Sequence, residues 1–355
     1  MKGPIGSWLD WLLVLVPLAI VAEFIHLDPL VIFTLSGLAI VPLAGVLGKA
    51  TEDLSNRFGE AIGGLLNASL GNLAELIIAL AALRAGLHDV VKASLTGSIL
   101  GNILLVLGMS MIVGGYYHER QRFNRTAAGM GTSLLLLAAI GLIVPALFHY
   151  AAGGRGKVVE QELSFEIALV LFAIYVLSLL FSLKTHRHLF SDERDASDSD
   201  PPVPLARPVI MLAVATVLIA VLSEFLVGTI EPAAERVGFT QIFVGVILVA
   251  IIGNAAEHST AVLVARKNKM DLAFAIAVGS SLQIALFVAP LLVFASFLFG
   301  RPLNLIFTPF EVASVTISVF AVGFVAMDGE SNWMEGVMLV GVYVILGVAF
   351  FFLPA

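Results

Sequence analysis

The chain has 355 residues, 59% of them hydrophobic and 13% charged, against about 25% charged in an ordinary soluble domain. That balance places most of the chain in lipid, and the absence of cysteine excludes disulfides and thiolate metal ligands. The formal charge of -7 says little about partners, because almost all of the charge falls between apolar stretches.

In chain order, eleven apolar windows cover 8–25, 29–47, 62–83, 93–117, 126–148, 165–183, 209–230, 242–265, 272–299, 303–327 and 333–353. Each is near the twenty or so residues a helix needs to cross ~30 Å of hydrocarbon. They are continuously apolar rather than alternating, which predicts an all-α polytopic membrane bundle and not an outer-membrane barrel. The first window is too long for a removable signal peptide and lacks a small-residue cleavage site, so it reads as a retained helix.

With loops placed alternately on two sides, one side receives Lys2, Lys49, Arg57, Arg120, Arg122, Arg125, Lys184, Arg187, Arg194, Arg207, Arg266, Lys267 and Lys269. The other holds Arg84, Lys92, Arg155, Lys157, Arg236 and Arg301. The asymmetry predicts a cytoplasmic N-terminus and an external C-terminus. These basic residues are topology signals, and no nucleic-acid partner is expected.

The third window carries Gly71-Asn72-Leu73-Ala74-Glu75, and the eighth carries Gly253-Asn254-Ala255-Ala256-Glu257 at an offset of 182. The same offset places Asp89 on Asp271, Gly97-Ser98 on Gly279-Ser280 and Gly63 on Gly245. Because the matched positions are the polar ones, the chain divides into an extra N-terminal helix (1–28), a five-helix repeat (29–184), a linker (185–207) and a second five-helix repeat (208–355). An odd number of spans turns the second copy upside down, the inverted-repeat plan of many secondary transporters.

The linker holds Asp192, Glu193, Asp195, Asp198 and Asp200, followed by Pro201, Pro202 and Pro204. It is too polar to bury a core and reads as a solvated cytoplasmic connection. Clustered carboxylates leave a low-affinity regulatory cation site open, although EF-hand spacing is absent.

A carboxylate at the middle of a spanning helix costs about 2.5–3.5 kcal/mol on insertion scales, so Glu75 and Glu257 are the first candidates for function. Gly71 and Gly253 can loosen the helix, and Asn72 and Asn254 can replace lost backbone hydrogen bonds, turning carbonyl oxygens toward a cavity. Two carboxylates with carbonyl, amide and water oxygens suit a hard cation such as Ca2+. Ser98 and Ser280 follow their glutamates by 23 residues, with Gln283 in the second copy and Asn102, displaced by one, in the first. A packing role stays open for the serines, while Gln283 needs a polar partner in so apolar a stretch.

His258 follows Glu257 where the first copy has Leu76, so it is a candidate for proton coupling or for packing. Adjacent residues on a helix point about 100° apart, so His258 and Glu257 are not expected to chelate one ion together. Glu224 is a candidate proton relay without a mate, since the offset places it on Pro42. Glu23 and Glu311, nearer window ends, are expected at the interface.

These residues carry a resemblance. The runs Asn67-Ala68-Ser69-Leu70-Gly71-Asn72-Leu73-Ala74-Glu75 and Gly253-Asn254-Ala255-Ala256-Glu257-His258 are similar to the two repeat motifs of the calcium/proton exchanger family within the cation/calcium exchanger superfamily. The resemblance implies Ca2+/H+ antiport in which Glu75 and Glu257 bind Ca2+ or protons alternately. Ser98, Ser280 and Gln283 would line the site, and His258 would be the family's histidine beside the second acidic residue. The linker is similar in position to the family's acidic segment but shorter.

The implied partners are Ca2+, H+ and the lipid bilayer, with Ca2+ as cargo, no cofactor expected, and a homo-oligomer left open. Rival expectations are Na+/Ca2+ exchange on the same fold and a passive cation channel. Leu73-Ala74 and Ala255-Ala256 stand where sodium exchangers resemble Ser/Thr-rich surroundings, which favours protons. No nucleophile–base pair or nucleotide loop suggests an enzyme. Short loops point to a prokaryotic plasma membrane.

Overall fold

Asp28 opens the first long helix: its carboxylate accepts from Leu30 N at 3.0 Å, and Pro29 fills the first turn, where a missing N–H costs nothing. The computed structural model describes residues 8–151, 156–186 and 204–353, and the linker carboxylates Asp192, Glu193, Asp195, Asp198 and Asp200 lie outside them. The first half contains α1 (Leu15–Phe24), α2 (Pro29–Leu70), α3 (Leu73–Ala85), α4 (His88–Leu100), α5 (Leu107–Tyr117), α6 (Arg125–Ala151) and α7 (Lys157–Leu180). The second contains α8 (Ala206–Gly228), α9 (Ile230–Val237), the single turn α10 (Gln241–Phe243), α11 (Ala250–Arg266), α12 (Met270–Gln283), α13 (Ala289–Leu298), α14 (Pro309–Val325) and α15 (Trp333–Phe352). A two-residue strand β1 (Gln121–Arg122) pairs antiparallel with β2 (Glu330–Ser331).

Nine described helical stretches are long and apolar enough to cross a membrane. The expected eleven fall short at two places. The first window folds as a 3-10 stretch Trp8–Val14 that runs into the ten-residue α1, so that the regular α-helix falls short of the twenty or so residues of a full span. The tenth window gives α14, an apolar helix of 17 residues that starts at Pro309. Residues 303–308 form no regular element; Thr308, the residue before Pro309, is extended as that position prefers, and Leu303, Leu305 and Phe307 are buried in alternation.

The stretch 48–61, read as a loop, is helical and continues α2. Lys49 Nζ reaches Glu52 and Asp53 at 3.1 Å each, the i,i+3 and i,i+4 pairs of a helix surface. Gly63 then lies against the Ser55 carbonyl with no room for a side chain. Residues eight apart in a straight helix stand ~12 Å apart, so α2 folds back into two arms.

The packing follows a two-fold exchange of halves. α3 packs on α8 while α11 packs on α2; α5 packs on α15 while α13 packs on α7; α2 meets α8 and α6 meets α14. Under the 182-residue offset each contact maps onto its partner in that set, the pattern of two inverted repeats around one axis. The Gly-Asn motifs are brought together near that axis.

Candidate ion-binding site between the repeats

The two motifs adopt different backbones. In the first copy the chain breaks at Gly71-Asn72, between the end of α2 and the start of α3, with Asn72 at φ −98° and ψ 29°. Glu75 therefore stands in the first turn of a helix, at the positive end of its dipole. In the second copy Gly253 and Asn254 lie inside α11, and the irregularity comes earlier, as a π-helical stretch Val244–Val249 that includes Gly245. The helices that follow carry π-helical stretches at matching places, Gly101–Val106 after α4 and Ile284–Val288 after α12. Such insertions re-aim side chains without ending a helix.

These distortions turn six polar side chains into one chain of hydrogen bonds. Asn72 Nδ2 donates to Gln283 Oε1 at 2.6 Å, and Ser280 Oγ donates to Asn72 Oδ1 at 2.8 Å. Asn102 Nδ2 donates to Ser280 Oγ at 2.9 Å and to Asn254 Oδ1 at 3.1 Å. Asn254 Nδ2 donates to Ser98 Oγ at 2.9 Å and to the Ala250 carbonyl at 2.8 Å. The asparagine of each motif thus bonds the serine of the opposite repeat. Five of the six are buried outright, and a satisfied network of this kind fixes one arrangement in a low-dielectric interior.

The carboxylates flank the network. Gly253 faces Glu75: a Cβ there would stand 3.0 Å from Glu75 Cγ, so the motif glycine of one copy makes room for the glutamate of the other. The Ser280 hydroxyl faces the Glu257 carboxyl, and the two glutamates are close enough for their charges to act on each other. Glu257 Oε2 is buried without a hydrogen-bond partner, and so is His258 Nε2. Buried acceptors of this kind are costly unless something pairs with them.

Two spaces touch the site. A small one of about 10 Å³, the room of about one water, is lined by Glu75, Ser94, Ser98 and Gly253. A larger cavity of about 460 Å³ has Gln283 and Ala68 among its lining, together with Asn124 and Asp271 at the ends of α6 and α12. Tyr175, which lines it from α7, donates its hydroxyl to the Ala68 carbonyl at 2.8 Å, satisfying one of the carbonyls freed where α2 ends.

Two carboxylates lie elsewhere than the sequence suggests. Glu224, the candidate relay, is exposed at the end of α8 and pairs with Arg84 at 3.4 Å, outside the network. Glu311 is not interfacial: it is 3% exposed. Its carboxylate caps α14, accepting from Thr308 N at 2.9 Å and Thr308 Oγ1 at 2.8 Å, while Thr308 Oγ1 accepts from Glu311 N at 3.2 Å. The pattern Thr308-Pro309-Phe310-Glu311 is a capping box with proline at its first helical position, a signal present in the sequence. Tyr175 carried no such signal, since an aromatic in an apolar window does not announce a distant backbone partner.

Residues 29–184 and 207–352 match the family model described as sodium/calcium exchanger protein. The Ca(2+)/H(+) antiporter of Aphanothece halophytica is 44% identical over 357 aligned residues, covering 97% of this chain and 96% of the relative. The Ca(2+)/H(+) antiporter ChaA of Bacillus subtilis is 43% identical over 342, covering 95% and 97%. The solved structure of native YfkE superposes with a TM-score of 0.84 at 41% identity, covering 96% of this chain and 100% of that one.

Proposed function

The chain belongs to the sodium/calcium exchanger protein family, and from that premise we propose that it is a membrane antiporter exchanging Ca2+ for H+ at a site shared by its two repeats. The observation that carries this is the crossed pair of bonds, Asn72 with Ser280 and Asn254 with Ser98, which ties the two Gly-Asn motifs into one cluster. Glu75 and Glu257 supply charge. The amide and hydroxyl oxygens of Asn72, Asn254, Ser98, Ser280 and Gln283, each with lone pairs to spare, complete an all-oxygen environment of the kind Ca2+ takes.

The exchange follows from charge balance. Two bare carboxylates held among apolar helices repel and lack solvation, so the empty pair favours protons, and a divalent cation displaces them. Either occupied state is near neutral and free to change its facing, whereas a doubly ionised pair is trapped. His258, the neighbour of Glu257 where the first repeat has Leu76, is the candidate for a further proton. A third proton per Ca2+ would move one net charge, worth ~2.3 kcal/mol per 100 mV.

The large cavity is lined by Ser182, Asn124 and Asp271, which stand within two residues of Lys184, Arg125 and Lys269 on the basic side, and this supports a cytoplasm-facing state and an N-terminus on that side. With an inward proton gradient the direction is Ca2+ export. The test is Ca2+ uptake into everted vesicles on imposing a pH gradient. Uptake should follow the proton gradient and ignore a Na+ gradient; Na+-driven uptake without a pH response would replace this reading with Na+/Ca2+ exchange.

A further inference from the structure

Aligning the two repeats shows that the open cavity has a closed counterpart. Asn124 caps α6 through its Oδ1, which accepts from Thr126 N and Ala127 N at 3.0 Å each, as Thr308 caps α14. Matching these caps pairs Ala127 with Glu311 and Met130 with Ser314, while the 182-residue offset pairs Phe274 with Lys92 and Val278 with Thr96. Ala127, Met130, Phe274 and Val278 all line the large cavity. Two of their counterparts, Thr96 and Glu311, instead meet each other. Thr96 Oγ1 donates to Glu311 Oε1 over a long 3.3 Å, and Lys92 Nζ, one turn earlier on α4, donates to the Ile306 carbonyl at 3.0 Å.

The backbone agrees. Gly97 is pressed against the Val246 carbonyl, with no room for a side chain, whereas its counterpart Gly279 has nothing within 4 Å and lines the cavity. Ser314 is 1% exposed and its hydroxyl is buried without a partner, while its counterpart Met130 faces open space. Glu311 therefore has two jobs on different atoms: Oε2 closes the cap of α14, and Oε1 reaches across to α4. A cap alone needs only the first.

We infer that Thr96 and Glu311 are positioning residues that latch shut the access path opposite the cavity, joining α14 to the helix that carries Ser98. When the chain turns to face the other way this contact parts, and the path lined by Glu311, Ser314 and Thr96 opens as the cavity closes. The inference rests on the alternating-access reading above, but its test needs neither Ca2+ nor a gradient.

The chain contains no cysteine, so Met130→Cys and Ser314→Cys serve as matched reporters. They are labelled by a small charged maleimide on the full chain in lipid nanodiscs, where both faces are reachable. Met130→Cys should label fast and Ser314→Cys slowly. Adding Thr96→Val, which leaves the cap intact, should raise the Ser314→Cys rate about fivefold without raising that of Met130→Cys. Fivefold corresponds to ~1 kcal/mol, the scale of one hydrogen bond. Thr96→Ser should restore the slow rate. An unchanged Ser314→Cys rate in Thr96→Val would overturn the latch, and so would a rise at both reporters, which would report a loosened fold. Failure of the unaltered chain to move Ca2+ would sink the exchange reading and leave these labelling rates as they are.

Discussion

The stretches Gly71-Asn72-Leu73-Ala74-Glu75 and Gly253-Asn254-Ala255-Ala256-Glu257 differ at one position in five, yet one breaks a helix and the other runs through it. The first follows an arm of α2 that has just folded back at Gly63, and it ends in a fresh helix start at Leu73. The second follows the π-helical stretch Val244–Val249, which absorbs the same re-aiming without a stop. The backbone is thus not what the symmetry preserves. Preserved instead are the crossed Asn–Ser bonds, which join the asparagine of each half to the serine of the other. The halves are also unequal in access, one open and one shut, as a carrier caught in one of two facings must be.

The largest expected break in this comparison is at Gly97 and Gly279. Gly97→Ala forces a methyl into the Val246 carbonyl and should destabilise the chain by about 1–3 kcal/mol, whereas Gly279→Ala meets nothing and should be neutral or mildly stabilising by ~0.5–1 kcal/mol. Thermal unfolding in detergent reads both, and equal losses would mean that the two faces are packed alike.

A smaller effect separates the two asparagines. Asn254→Ala takes one of the two acceptors of the buried Asn102 amide and removes the donor to Ser98, at about 1–3 kcal/mol, and Asn72→Ala removes the donor to Gln283 and the acceptor of Ser280. Only Asn72→Ala also loosens the broken joint, so it should additionally expose α3 to hydrogen exchange. Equal protection of α3 in the two variants would show that the break is rigid by itself.

Tyr175→Phe leaves the Ala68 carbonyl without its donor and should cost ~1 kcal/mol and slow transport several-fold, with no counterpart in the second repeat. Wild-type transport by this variant would remove Tyr175 from the account. Smallest of all, Glu224→Gln breaks an exposed pair with Arg84 worth ~0–1 kcal/mol and should leave transport unchanged. A lost pH response in Glu224→Gln would return it to the role of proton relay.

How much of this was legible beforehand depends on the kind of signal. Polar residues in apolar windows are few, so Glu75, Glu257, Asn72, Asn254, Ser98, Ser280, Gln283 and even the displaced Asn102 could be picked out, and the structure gathers them in one place. The helical plan was legible from window length, although a hydropathy window cannot see that 48–61 stays helical or that 303–308 forms no regular element. Nearness to a window end puts Glu311 at the interface, whereas the capping pattern beside it gives a satisfied and therefore buriable carboxylate, and the structure buries it. The π-helical stretches had no local signature: nothing in Val244–Val249 or Ile284–Val288 distinguishes them from ordinary helix except what they pack against.

Whether two unlike halves make one ion site is decided by Ca2+ binding to the purified chain with proton release followed in weak buffer. The account predicts one Ca2+ bound per chain with release of protons, and loss of both signals by more than about tenfold in either Glu75→Gln or Glu257→Gln, the scale of a charged partner removed. Binding that survives in one of these variants with its proton release intact would mean that the site belongs to a single repeat, and the claim would fall.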